Sequence, residues 1–300
     1  MIITRILSDY LLNKKKIALQ NLSVDRLLDL DPEEFYKFLY NTTIQELVYT
    51  HNIKEFEKLD FIQFKKRFLK DEIEKGIILS KAIRPFISGL VILLISFRLK
   101  QNFENITLER SFSDDLGMDS LSIVDLILHF EEILELDIPD SVVPLLYNIE
   151  DAVKYIYSYF LIEMTILLKI GILSGFNSEF ELSKIPPEIV KNLLFIFQKE
   201  FLLELEEDKR FFTLPVYQFV MYMLLSDTIR KILLEWKYLK EETPLSMQKK
   251  IKDYLEEEKL ILLIDKLSHM LELRTTRESL KKAETFSELV FDYIKLLTEV

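Results

Sequence analysis

Five glycines and eight prolines are all that interrupt 300 residues dominated by Leu, Ile, Lys and Glu. Glycine and proline break helices and shape turns, while the abundant residues are good helix formers. The chain is therefore expected to be all-α. Two of its most apolar runs, Phe86 to Phe97 and Leu161 to Leu173, are bracketed by Arg84 and Arg98 or interrupted by Glu163 and Lys169. A membrane-spanning helix needs roughly 20 uninterrupted apolar residues, so both runs read as buried core helices and no transmembrane segment is expected. The chain has no cysteine. That excludes disulfides, thiolate metal sites and cysteine nucleophiles, and it fits a cytoplasmic location.

Fifty acidic residues against 39 basic ones give a formal charge of −11. A nucleic-acid binder needs clustered Lys and Arg for its phosphate contacts, so that class is set aside. An acidic surface suits docking onto basic patches of partner proteins. His51, His129 and His269 stand at no metal-ligand spacing, and no phosphate-binding glycine loop or nucleophile elbow is present. Glu206-Glu207-Asp208 and Glu256-Glu257-Glu258 read as solvated acidic runs.

The densest local signal is Asp114-Asp115-Leu116-Gly117-Met118-Asp119-Ser120-Leu121. Gly117 permits a tight turn with unusual backbone angles, and Ser120 then stands at the mouth of a helix. Val124, Ile127, Phe130 and Leu134 recur at helical spacing and are expected to face inward, with Asp125, His129 and Glu132 on another face. Asp137-Ile138-Pro139-Asp140 stops that helix. A short helix over 141–146 follows, and Asn148 caps a last one whose Ile149, Val153 and Ile156 point inward. Upstream, 86–100 supplies a first helix, and a long loop is pinned by Ile106, Leu108 and Phe112. Asp114 and Asp115 read as a solvated acid pair.

The run D-L-G-x-D-S-L, the Glu131-Glu132 pair and the Ile-Pro-Asp stop together resemble the acyl carrier protein family across residues 86–160. The resemblance implies a four-helix carrier bundle with 4'-phosphopantetheine, taken from coenzyme A, esterified to Ser120. Gly117, Asp119 and Leu121 would then surround the attachment point. It further implies a partner-binding face of Leu121, Asp125, Leu128, Glu131 and Glu132. The partners would be a phosphopantetheinyl transferase and acyl-transferring or acyl-activating enzymes with basic docking patches. The cargo would be an acyl or aminoacyl thioester, and the protein itself would not be an enzyme. Fatty acid, polyketide, peptide and lipid-modification systems all remain open. So does an unmodified helical scaffold or interaction protein built from carrier-like modules.

Fragments of the same pattern recur. Phe197 to Phe201, Leu203 to Leu205, then Val216, Val220 and Tyr222 follow it, as do Leu267 to Leu273, Thr285-Phe286 and Tyr293-Ile294. Phe56 to Phe68 looks like the end of another copy. Counting back to the place of the serine gives Pro32, Ser120, Pro187 and Glu257, which are 88, 67 and 70 residues apart. Two of the copies read Asp31-Pro32-Glu33 and Pro186-Pro187-Glu188 there, so a helix start survives without a hydroxyl. The expectation is up to four tandem carrier-like modules at 1–80, 81–160, 161–228 and 229–300, with only the second open to modification. A single carrier domain flanked by unrelated helical bundles is the alternative.

Overall fold

The computed structural model describes residues 1–9, 32–68, 83–170, 176–206, 208–271, 273 and 280–298. Asp31, Glu207 and the end of the Leu161–Leu173 run lie outside them. The described chain is helical, as the scarcity of helix breakers requires. Its α-helices are α1 (Ile2–Asp9), α2 (Pro32–Tyr49), α3 (Phe61–Phe68), α4 (Arg84–Leu99) and α5 (Ser120–Leu134). They continue as α6 (Ile149–Ile170), α7 (Pro187–Phe201), α8 (Val216–Glu235), α9 (Glu257–Met270) and α10 (Phe286–Thr298). The strands β1 (Leu203–Glu204) and β2 (Leu245–Ser246) pair in parallel. No helix among the described residues is long and apolar enough to cross a membrane.

The chain divides into two compact units, Met1–Asp137 with Asn148–Phe176, and Ile138–Tyr147 with Asn177–Val300. In the first, α4 is buried almost all round, from Phe86 to Ser96, and lies against α6. An aromatic cluster joins Tyr36, Phe61, Phe64 and Phe86, with Tyr36 edge-on to Phe86 at 5.7 Å. Gly89 is needed there, because a Cβ at this position would meet Phe64 at 2.4 Å.

The second unit is built on α8, whose side chains from Val216 to Leu233 are nearly all buried. Phe197, Phe211 and Phe219 pack edge-to-face around it. The Tyr222 hydroxyl donates to Ser287 Oγ at 2.9 Å. The segment between α5 and α6 belongs to this unit. In place of the short helix expected over 141–146 it makes one 3₁₀ turn, Val143–Leu145, because Pro144 has no N–H with which to extend a helical ladder.

Two expectations shift in α5 and the loop before it. Val124 is 44% exposed, since the buried stripe runs through Leu126, Ile127, Phe130, Ile133 and Leu134 instead. Leu108, read as a loop pin, is only partly covered, whereas Ile106 and Phe112 are buried.

Helices begin at Pro32, Ser120, Pro187 and Glu257, the four positions reached by counting. The next long helix starts at Phe61, Ile149, Val216 and Phe286, in each case 29 positions later. Three isolated antiparallel bridges, Ser111 with Asn148, Glu181 with Pro215 and Lys250 with Thr285, end 28 positions after Ser120, Pro187 and Glu257. Both α5 and α7 are 15 residues long, and each is closed by a left-handed residue, Glu135 at φ 52° and Leu202 at φ 51°.

Candidate attachment site at the mouth of α5

The loop before α5 is fixed by hydrogen bonds at both ends. The Ile149 and Glu150 amides donate to the carbonyls of Arg110 and Leu108 at 3.1 and 2.9 Å, which ties the loop to the start of α6. That start is itself capped reciprocally: the Asp151 amide donates to Asn148 Oδ1 at 2.9 Å, and the Asn148 amide to Asp151 Oδ2 at 3.3 Å. The Asp115 carboxylate accepts from the Ser111 amide at 2.8 Å and the Ser111 hydroxyl at 3.0 Å. These bonds, the backbone one first, hold its pKa below the usual carboxylate range. Asp115 is therefore a structural lock in the loop and not merely solvated. The signal for it was Ser111 standing four residues before it.

The turn is completed by amides of Leu116, Gly117 and Met118 donating to the carbonyls of Ser111, Ser113 and Phe112 at 3.2, 3.0 and 2.9 Å. Gly117 adopts φ +66°, where a Cβ would find no atom within 4 Å. Backbone conformation, not crowding, selects glycine here.

Asp119 is the N-cap of α5. Its carboxylate accepts from the Ser122 amide at 2.8 Å, and the Ser122 bonds lower its pKa. Ser120 is therefore the first helical residue and is relieved of capping. It is exposed, and no described residue bonds its hydroxyl. The oxygen stands at the positive end of the α5 dipole, where a phosphate anion is favoured.

Around it lies an apolar surface. Leu121 is 78% exposed and Leu128 58%, with Glu132 exposed one turn beyond. Asp125 is paired with Arg98 of α4, a contact that no local pattern reveals. Glu131 is half-buried. His129 lies over Phe97 with ring centroids 6.4 Å apart. Burial lowers its pKa, against the opposing pull of Glu132 and with smaller contributions from Arg98 and His51.

Among the described residues, no three His, Cys, Asp or Glu side chains gather to hold a metal. The mouth of α5 thus combines an exposed hydroxyl, an acid-capped helix start and two exposed leucines. The family model described as "Phosphopantetheine attachment site" matches residues 94–156.

Three acyl carrier proteins of Clostridium perfringens, from strains SM101, ATCC 13124 and 13, are each 46% identical to the chain over 63 residues. The match covers 21% of this chain and 83% of each relative. No solved structure matches. Through this domain the chain belongs to the acyl carrier protein family, and its prosthetic group is a covalently attached 4'-phosphopantetheine. The residues fit that group, since a phosphodiester needs a spare hydroxyl and open space, and both are present at the mouth of α5. A carrier domain of this type has no catalytic role of its own.

Proposed function

We propose that Ser120 is the attachment residue, and that this protein presents an acyl or aminoacyl thioester to partner enzymes in the cytoplasm. The observation that carries the reading is the division of labour between Asp119, which caps the helix, and Ser120, whose hydroxyl is left exposed and unbonded. A phosphopantetheinyl transferase would deprotonate this hydroxyl and direct it at the β-phosphorus of coenzyme A. A new P–O bond forms, and 3',5'-adenosine diphosphate departs. The attached arm supplies the thiol that a cysteine-free chain lacks. Leu121 and Leu128 would seat in apolar recesses of the partners while Glu132, with Asp125 and Glu131 beside it, meets their basic residues. Rim charges of this type mainly set encounter rate and orientation.

The remaining helices are read as three carrier-like modules without an attachment residue, scaffolding for the second. Support comes from the 29-residue interval recurring at Pro32, Ser120, Pro187 and Glu257 and from the three bridges at one shared position. The whole chain is read as a non-enzyme.

Intact-mass measurement after incubation with coenzyme A and a broad-specificity transferase tests the attachment. One phosphopantetheine per chain is expected, none in Ser120→Ala, and slower loading in Leu121→Asp. A gain that persists in Ser120→Ala refutes the assignment.

A further inference from the structure

The shared 29-residue interval allows α7 to be compared with α5 position by position, and the comparison shows an apolar residue kept and a charge reversed one turn beyond it. Leu128, the exposed leucine eight residues into α5, corresponds to Phe195, which is 52% exposed. Exposed Glu132 corresponds to exposed Lys199, and Val124 to exposed Lys191. Lys199 lies 4.1 Å from the Phe195 ring centroid, and Leu202, 39% exposed, extends the apolar strip. Glu188, which corresponds to Leu121, places an exposed acid in the first turn of the helix.

At that position the other two helices of the series carry no exposed aromatic. The corresponding residue in α2 is Tyr40, buried against Phe61 and Phe64. In α9 it is Asp265.

The exposed Phe195 with Lys199 one turn beyond is the complement, in apolar contact and in charge, of exposed Leu128 with Glu132 one turn beyond. We infer that the α7 face of one copy docks the α5 face of a second copy of this chain. The inference rests on the partner-face reading of α5 given above. Aromatic side chains in apolar contact with complementary charges at the rim are the usual anchors of such interfaces. The two faces differ, so the contact is head-to-tail, and each added copy leaves one face of each kind free. Assembly therefore closes into a ring or extends with concentration.

The unmodified full-length chain is expected to show a weight-average mass in sedimentation equilibrium that rises with concentration and falls with added salt. Phe195→Asp and Lys199→Glu should each weaken association about tenfold or more, and Glu132→Lys with Lys199→Glu together should restore part of it. Because the chain has no cysteine, Leu128→Cys and Phe195→Cys can be placed in separate copies carrying Ser120→Ala. A short bismaleimide should link them only when the two are mixed.

Several results overturn the inference. These are a chain monomeric at every concentration, association indifferent to Phe195 and Lys199, linkage of either variant to itself, or a link formed within one chain. Binding of only a separate acidic carrier by the α7 face overturns it as well. Ser120→Ala is expected to associate like the wild type, so failure of loading and failure of association are read separately.

Discussion

Replacing Gly117 by alanine isolates the backbone demand at the attachment loop. A Cβ built on Gly117 has no heavy atom within 4 Å, so steric crowding contributes nothing. What remains is the left-handed conformation at φ +66°, which disfavours an L-residue by about 1–2 kcal/mol. Alanine also narrows the unfolded ensemble, offsetting about 0.4–1 kcal/mol. The net destabilisation is then about 1 kcal/mol, confined to the turn that Gly117 closes. The amides of Leu116 and Met118, which bond Ser111 and Phe112, report it directly. Their hydrogen exchange by local opening should accelerate about fivefold, with the interior of α4 unchanged. Gly117→Asn, whose side chain tolerates this region, should recover most of the protection. The reasoning fails if alanine leaves exchange unaltered, or if asparagine is no better than alanine.

Gly89→Ala makes the opposite case. Its backbone is helical, but the new methyl would lie 2.4–2.8 Å from the rings of Phe64 and Phe68, so urea denaturation should show a loss of about 1–3 kcal/mol. His129 gives a pH dependence. Burial depresses its folded pKa, so the unfolded chain binds the proton more readily. Its contribution is intact above the ordinary histidine value of about 6.5 and is lost as pH falls towards the folded one. Denaturation midpoints of the wild type should drop between pH 7.5 and pH 5, and those of His129→Phe should drop less. Equal slopes for the two would remove His129 from the account.

Helical register was legible in the sequence where local chemistry sets it. Pro32 and Pro187 announce helix starts through a residue that suits the first turn and little else, and Asn148 announces the start of α6 by offering a cap. The loop before α5 was legible because Gly117, Asp119 and Ser120 act within a few residues of one another.

What sequence spacing missed came from distant parts of the chain. Val124 lies at an apparently inward step, but the line that meets the core is led by Leu126 and Ile127. Arg98 reaches Asp125 from another helix. The two-residue pairing of Leu203 with Leu245 is too short to leave an alternating pattern.

Because Asp119 closes the helix, nothing structural hangs on the hydroxyl that follows it. The first position of α5 is open to any residue compatible with a helical turn, as proline and glutamate begin α7 and α9 at Pro187 and Glu257. Replacement of Ser120 is therefore expected to leave the architecture of α5 in place.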